Sequence, residues 1–182
     1  NVRQFYHVCK CPEDKIKFLE DYLKVNAQSD RVIIFVNKKD YVIEIQRKLK
    51  ERGYRVHVLM GGETMDLKER DLTIEKFRKG EIQILITTNV LARGYDERLI
   101  KLVINFDIPI KNDPNFPGYE ADPESYLHRI GRTGRFGSKG IGLNLCCNKK
   151  DESYLKSIEK FYNTKIEELK DLDQLIEELK KL

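Results

Sequence analysis

The stretch that decides the fold is RVIIFVNKKDYVIEIQRKLKERGYRVHVL, at residues 31–59. Its two ends, 31–37 and 55–59, are short and nearly continuous in Val, Ile and Leu, which is typical of strands buried in a sheet. Between them apolar residues recur at helical spacing, at Val42, Ile45 and Leu49. Gly53 then favours the end of that helix. A strand, a helix and a strand in this order predict two parallel strands joined by a crossover helix.

The same alternation continues on both sides of this unit. Further buried strands are predicted at 82–88, 101–107 and 140–146, and a helix at 12–24. A second helix follows Asp66, with an apolar stripe at Leu67, Ile74 and Phe77 and an end at Gly80. The pattern predicts an α/β fold with a mainly parallel central sheet and helices on both faces. In such a sheet, ligands bind in loops beyond the carboxyl ends of the strands.

The end of the chain has a separate amphipathic pattern. One helical face carries the apolar residues Leu172, Leu175, Ile176, Leu179 and Leu182. Asp171 and Gln174 are spaced as a capping box that would begin this helix. We expect one domain over 1–170, with 171–182 as an amphipathic helix packed on it. Docking of a partner on this helix is the alternative.

Composition and charge narrow the class of protein. The chain has 182 residues, of which 40% are hydrophobic and 35% charged, with a net charge of +4. Residues 151–182 hold six Lys against nine acidic residues, so the rest of the chain is more basic than the whole. This distribution favours a polyanionic partner. No apolar run approaches the roughly 20 residues that a membrane-spanning helix needs, and no signal peptide is expected at the start.

The four cysteines, Cys9, Cys11, Cys146 and Cys147, are expected to be reduced. Zinc sites generally use Cys pairs separated by two to four residues, and neither pair here has that spacing. No metal site is therefore predicted. We expect buried or half-buried structural thiols, with Cys9 and Cys11 on one side of a strand.

The segment ADPESYLHRIGRTGRFG, at 121–137, combines helix signals with cations. Asp122 is a suitable N-cap and Pro123 suits the first helical position, so a helix is predicted to about Thr133, with Gly134 ending it. His128, Arg129 and Arg132 would then share a side, with Arg135 beyond the last turn. Arginine suits multidentate phosphate recognition. The alternative is a solvated basic face.

Two other segments place polar groups after predicted strands. In ILITTNVLARGYD (84–96) a strand leads into Thr88, and in LMGGETMDLKER (59–70) a strand leads into Gly62 and then Arg70. Backbone amides at helix starts, hydroxyls and arginines suit the sugar–phosphate backbone of a nucleic acid. Ordinary strand–helix turns and surface charges are the alternative reading of both segments.

Together these residues resemble a known family. HRIGRTGR (128–135) is similar to motif VI of the DEAD-box RNA helicases, TTNVLARGYD (87–96) to motif V, and VIIFVN (32–37) to motif IV. VINFDIP (103–109) resembles the segment that follows motif V. The resemblance covers about 4–165 and implies the C-terminal RecA-like domain, a three-layer fold. TTNV and the ending YNTKIEEL resemble the nuclear-pore-associated subfamily that acts in messenger RNA export.

The resemblance also implies roles for matched residues. Arg132 and Arg135 would be arginine fingers toward the γ-phosphate of ATP, with His128 coupling the nucleotide to the contacts between domains. The nucleotide-site residues would be Asp96, Arg93 and Arg129, and the RNA-binding residues Thr88, Gly94, Arg70 and Gly62. Leu67 stands where many members have Gln, and Tyr95 replaces an aliphatic residue. These departures weaken the Arg70 assignment more than the others.

The sequence holds only part of what the family's chemistry needs. It has no G-x-x-x-x-G-K-S/T phosphate loop and no Asp-Glu-Ala-Asp segment, so ATP with Mg²⁺ would be held by an N-terminal domain. We expect this chain alone to neither hydrolyse ATP nor unwind RNA. A stand-alone RNA-binding or protein-docking module is the alternative.

The resemblance implies partners and a location as well. The partners would be single-stranded RNA, the N-terminal RecA-like domain of the same parent chain, and a nuclear-pore activator protein with inositol hexakisphosphate. We expect a monomer with no membrane contact, in the cytoplasm and nucleus and at the cytoplasmic face of the pore. Contacts to the RNA backbone carry no base information, so they predict no sequence preference.

Overall fold

The computed structural model describes residues 2–26, 31–61, 65–88, 100–111, 120–133 and 139–182. The strands in these residues are β1 (Val2–Val8), β2 (Arg31–Phe35), β3 (His57–Leu59), β4 (Ile84–Thr87), β5 (Ile100–Asn105), β6 (Ile110–Lys111), β7 (Glu120–Ala121), β8 (Gly140–Cys146) and β9 (Glu167–Glu168). The helices are α1 (Pro12–Asn26), α2 (Lys39–Glu51), α3 (Leu67–Arg78), α4 (Pro123–Ile130), α5 (Lys149–Tyr162) and α6 (Leu172–Lys180).

Seven of these strands form one parallel sheet in the order β3-β4-β2-β5-β8-β1-β9. β2 lies between β4 and β5, and its Ile34 pairs with Ile86 on one side and Ile104 on the other. β6 and β7 form a separate antiparallel pair. The predicted parallel α/β sheet is confirmed.

The sheet has a hydrophobic core on each face. Along β2, Val32 and Ile34 belong to one buried cluster, together with side chains of α1, α2 and α6. The alternate residues Ile33 and Phe35 pack in another cluster with Phe77 of α3. This alternation follows from the two-residue period of a strand, which sends neighbouring side chains to opposite faces. The protein is therefore a three-layer sandwich of helices, sheet and helices.

The order of the strands explains which face each helix covers. The chain moves from β1 to β2 to β3 in one direction along the sheet, using α1 and α2. It returns through β4, β5 and β8 with α3 and α4 on the opposite face. Crossovers of one handedness require the helices to change face when the direction reverses.

Several elements were not predicted from the sequence: β9, α5 and the β6–β7 pair. The strand predicted at Cys9 and Cys11 lies earlier in the chain, as β1. Cys9 and Cys11 do not lie on a strand, because β1 ends at Val8, and Cys11 is exposed rather than half-buried. Leu67 is the first residue of α3 and is 69% exposed, so it does not belong to a buried stripe.

The final helix packs into the core of the sheet. Leu175 and Leu179 belong to the same buried cluster as α1 and α2. Asp171 Oδ1 accepts a hydrogen bond from the Gln174 backbone N–H at 2.9 Å. Gln174 Oε1 accepts from the Lys170 N–H, one residue before the cap. This reciprocal arrangement satisfies backbone donors at the start of the helix.

No helix in the described part of the chain is long and apolar enough to cross a membrane.

Candidate nucleotide and RNA interface

The helix α4 carries the predicted cationic segment, and its start is capped as expected. Asp122 Oδ1 accepts from the Ser125 backbone N–H at 3.1 Å, and its Oδ2 accepts from the Ser125 hydroxyl at 2.8 Å. Pro123 occupies the first turn, where its missing N–H costs nothing. The Asp122 N–H donates to the Pro109 carbonyl, which anchors the helix start just beyond β5.

The helix ends earlier than the sequence predicts. Its last residue is Ile130 and Gly131 is the C-cap, so Arg132 and Thr133 lie outside the helix rather than on its last turn. The backbone N–H groups of Arg132 and Thr133 donate to carbonyls three residues earlier, at 3.2 and 3.1 Å. This tighter turn redirects the chain. The Thr133 hydroxyl then donates to the carbonyl of Ile100, the first residue of β5.

Arg129 points into the protein, away from His128. The Arg129 side chain is only 2% exposed, whereas His128 is exposed. The predicted common side for these two residues is therefore wrong. They are neighbours in sequence, about 100° apart around a helix, and the sheet covers only one of them.

The Arg129 guanidinium joins the ends of two strands. It donates to Asn105 Oδ1 at 3.1 Å, to the Asp107 carbonyl at 2.7 Å and to Asn37 Oδ1 at 2.8 Å. Its carbon lies 5.2 Å from the centre of the Phe35 ring. Burial lowers the pKa of Arg129 to about 10, although Asp107 and Asp122 oppose the shift. The side chain therefore stays charged at neutral pH, and its part in nucleotide binding remains a prediction.

Asp107 and Lys15 extend this cluster. Asp107 Oδ2 accepts from the Asn37 backbone N–H at 2.8 Å. Lys15 is 4% exposed and donates to the Phe106 carbonyl at 2.6 Å, with Asp107 and Asp151 carboxylate oxygens at 3.9 and 4.0 Å. Sequence reasoning missed Lys15, because nothing in the pattern of α1 marks this lysine as buried. Asn105 was detectable in principle as a polar residue in an apolar strand.

Two of the predicted RNA-binding residues are described, Thr88 directly after β4 and Arg70 on α3. Thr87 ties β3 and β4 together, with its hydroxyl 2.7 Å from the Leu59 carbonyl. The next hydroxyl, on buried Thr88, has no hydrogen-bond partner among the described residues. Arg70 is half-buried in the second turn of α3. Lys39 Nζ donates to the Gly61 carbonyl at 2.8 Å and holds the loop after β3 against α2.

The described polar residues lie at both ends of the parallel strands. Thr88, Asn37 and Asp107 follow the carboxyl ends of their strands. The Thr133 hydroxyl instead contacts the amino end of β5. Thr133 therefore lies at the opposite end of the strands from these residues, because α4 runs antiparallel to the strands.

Several predicted site residues lie outside the described residues: Gly62, Arg93, Gly94, Tyr95, Asp96, Gly134 and Arg135. Among the described residues, Thr133 of the 121–137 segment contacts Ile100, the first residue of β5. Ile100 lies four residues after the 84–96 segment in the chain.

A second basic region lies at the amino ends of β3 and β4. A depression of about 850 Å³ is lined by Lys50, Arg55, His57 and Lys76, among other residues. Burial and these three cations lower the pKa of His57. Lys50 and Lys76 lie in the last turns of α2 and α3, where cations stabilise the helix dipole. The dipole accounts for these lysines without a ligand.

The titratable side chains of the described residues include no group of three or more His, Cys, Asp or Glu placed to hold a metal ion. Burial raises the pKa of the Cys9 thiol to about 11 and also raises the pKa of Cys146. These two thiols are protonated at neutral pH, which makes them weak nucleophiles and weak metal ligands.

The fold and these motifs place the chain in a class of protein. Residues 14–137 match the family model "Helicase conserved C-terminal domain". The chain belongs to this family. It is 40% identical to an ATP-dependent RNA helicase dbp5 of Aspergillus clavatus and 39% identical to that of Aspergillus fumigatus, over 99% of its own length. It spans 37% of the length of these relatives.

Solved structures narrow the likeness to one group within the family. Saccharomyces cerevisiae Dbp5 bound to RNA and ADP BeF3 is 36% identical, with a TM-score of 0.88 over 99% of this chain and 45% of that one. The C-terminal domain of the DEAD-box protein Dbp5 is 35% identical, with a TM-score of 0.79 over 100% of this chain and 98% of that one. The chain is thus a RecA-like C-terminal domain of the DEAD-box type, and it is similar to Dbp5.

Proposed function

We propose that this chain is the C-terminal half of an ATP-dependent RNA helicase that remodels RNA–protein complexes in messenger RNA export. The observation that carries the proposal is how residues 128–133 are held by the domain. Arg129 anchors this segment inside the domain, and the Thr133 hydroxyl donates to the Ile100 carbonyl. Arg132, half-buried between them, is left on a fixed turn. Preorganised cations of this kind stabilise transition-state charge without reorganising during the reaction.

The proposed reaction needs a second domain. ATP with Mg²⁺ would be held by an N-terminal RecA-like domain, and Arg132 and Arg135 would approach the γ-phosphate when the two domains close. His128 is exposed on the outward side of α4, which suits a contact to that domain. Asp96 and Arg93 would meet the ribose and the domain boundary. Phosphoryl transfer depends on positioning and charge neutralisation, and this chain would supply part of the second.

RNA would bind through its backbone beside the ends of β3 and β4. The Thr88 hydroxyl is buried, and it has no partner in the described part of the chain. A buried polar group without a partner is costly, so a phosphate oxygen accepting from this hydroxyl would relieve that cost. Arg70 would add a cation there, and Gly62 and Gly94 would allow close approach of the backbone.

The proposed partners follow the relatives. Solved relatives include Dbp5 bound to Gle1 and IP6, and Dbp5 bound to Nup159, Gle1, IP6 and ADP. One of them is a C-terminal domain alone with Gle1 and IP6, at a TM-score of 0.81 and 34% identity. We propose that this chain likewise binds an activator protein together with inositol hexakisphosphate. A nuclear-pore partner would place the parent protein at the cytoplasmic face of the pore.

RNA-stimulated ATP turnover tests the proposal. We expect no turnover by this chain alone. In the protein where it follows its N-terminal helicase domain, Arg132→Ala should lower turnover about 10³-fold or more. The matched control is Arg47→Ala, because Arg47 is exposed on α2 and pairs only with exposed Glu51 among the described residues. Turnover by the chain alone, or a parent indifferent to Arg132→Ala, would contradict the proposal and favour an RNA-binding or docking module.

A further inference from the structure

A line of buried hydrogen bonds runs beneath α4. Asn105 accepts from Arg129 and donates from Nδ2 to Asn144 Oδ1 at 2.9 Å. Asn144 Nδ2 lies 3.0 Å from the Phe5 carbonyl and 3.2 Å from the Tyr126 hydroxyl, donating to both. The Tyr126 hydroxyl donates onward to Gln4 Oε1 at 2.7 Å. This Asn105–Asn144 network joins α4 to β5, β8 and β1.

The centre of the network is fully buried, and its hydrogen bonds are nearly complete. Asn105 and Asn144 are 0% exposed, Tyr126 is 1% and Arg129 is 2%. Both donor hydrogens of Asn144 are used, and its oxygen accepts from Asn105. Buried polar groups gain most from bonding when every one of them is satisfied, because low dielectric strengthens each bond and raises the cost of a missing one. Each partner therefore constrains the positions of the others.

The network meets α4 at two points. Tyr126 and Arg129 are three residues apart, so they lie on the same face of the helix. Asn105 and Asn144 face each other directly in the register of β5 and β8, on the side of the sheet that α4 covers. Apolar residues at these positions would pack without directional bonds, and α4 would be free to slide or rotate. Two directional contacts on one face fix both its rotation and its position along the sheet.

We propose that the Asn105–Asn144 pair is a positioning device for α4 that sets the direction of Arg132 and His128 and so controls the rate of ATP turnover. The inference rests on the proposed function. Neither asparagine contacts a reacting group, and each acts through Tyr126 or Arg129. Breaking the pair lets α4 rotate on the sheet. Arg132, in the turn after α4, then no longer points toward the γ-phosphate.

Hydrogen exchange in this chain tests the positioning without any reaction. Asn144→Leu keeps the branched shape and the number of side-chain heavy atoms and removes every hydrogen bond of the side chain. The backbone N–H groups of Tyr126, Gly131 and Thr133, which donate within α4 and its turn, should exchange about tenfold faster through local opening. The matched control is Leu143→Val, because Leu143 is buried in the same strand but faces the opposite core.

Unchanged exchange in α4, or an equal rise over the whole sheet, would overturn the inference. If Asn144→Leu fails to fold, Tyr126→Phe removes only the hydroxyl that receives from Asn144. In that variant the same N–H groups of α4 should exchange faster, but by a smaller factor. If their exchange rates did not change, the inference would equally be overturned.

Turnover by the parent protein supplies the second readout. Asn144→Leu should lower kcat about tenfold at saturating RNA, with little change in the KM for ATP, because alignment in the transition state is lost rather than ground-state binding. Leu143→Val should leave kcat near that of the wild type. If Arg132→Ala has no effect, the proposed function fails. If Arg132→Ala abolishes turnover while Asn144→Leu changes neither kcat nor exchange in α4, only the positioning inference fails.

Discussion

At the scale of the residue, a single side chain at the centre of the cluster decides much of the geometry. Arg129 makes three hydrogen bonds that connect the ends of two strands. It donates to the Asn37 side chain after β2, to the Asn105 side chain at the end of β5, and to the Asp107 carbonyl. Bonds from a charged donor are stronger than neutral ones. Removing the donor also leaves buried acceptors without a partner.

Arg129→Met is therefore expected to destabilise the chain by about 3 kcal/mol, since buried charged networks lose several kcal/mol when one partner is removed. Urea denaturation of this chain measures the change. Arg47→Met is the control, because the exposed pair with Glu51 contributes at most about 0.5 kcal/mol. Equal stability of the two variants would mean that the Arg129 contacts contribute little.

The same scale gives a pH dependence at Glu178. Burial alone would raise the pKa of Glu178, but hydrogen bonds from Lys181 and Arg3 outweigh it and hold the pKa below its ordinary value of 4.5. A carboxyl group with a depressed folded-state pKa stabilises the protein above the unfolded-state pKa and loses this contribution as the pH falls through the folded-state pKa.

We therefore expect Glu178→Gln to lower the free energy of unfolding at pH 7. The variant should also lose less of this free energy than the wild type as the pH falls below about 4.5. Urea midpoints across pH 3 to pH 7 measure both effects. Glu177→Gln, on the same helix one residue earlier, is the comparison variant. If both variants kept the full acid dependence of the wild type, other carboxylates would be responsible.

At the scale of the element, α4 lies unusually close to the sheet. Gly142 on β8 faces this helix, and a methyl group at that position would come within 2.9 Å of Ile130 Cγ2. Together with Asn105 and Asn144, it replaces the large apolar residues found along the other face of the same strands. The close approach lets the Tyr126 and Arg129 side chains reach the asparagines.

Gly142→Ala should destabilise the chain by about 1–3 kcal/mol, because overpacking in a dense core forces side chains or backbone to shift. The double variant Gly142→Ala/Ile130→Val keeps the Cγ2 methyl, whereas Gly142→Ala/Ile130→Ala removes it. Thermal unfolding of each double variant is compared with that of its own Ile130 single variant, because Ile130→Ala alone opens a cavity. Gly142→Ala should then cost less only in the Ile130→Ala background, and an equal cost in both backgrounds would point to strain within β8 itself.

At the scale of the whole molecule, the reversal of strand order brings distant segments together. The chain runs outward on one face of the sheet and back on the other. Asn37, Asp107 and Arg129, from three separate parts of the sequence, meet at the carboxyl ends of β2 and β5. A site assembled in this way depends on the entire parallel sheet, and its contacts form only with long-range pairing.

The sequence by itself determined the layers, five of the seven strands of the sheet and the cationic segments. Periodicity reports which side of an element is buried, and Gly, Pro and Asp report where helices begin and end. It also marked Arg129 and Arg132 as a group, although it could not separate their roles. The end of α4 was misjudged, because Gly131 stops the helix before the second glycine of the motif does.

Only the tertiary structure decided which cationic side chains are buried and which are exposed at the surface. Arg129 and Lys15 are inside because carbonyl and amide oxygens at strand ends converge on them, and those oxygens come from residues distant in sequence. The same is true of the pairing between Asn105 and Asn144, which follows from β5 and β8 being neighbours in register. Local patterns carry the shape of each element, whereas partners for buried polar groups exist only once the sheet is assembled.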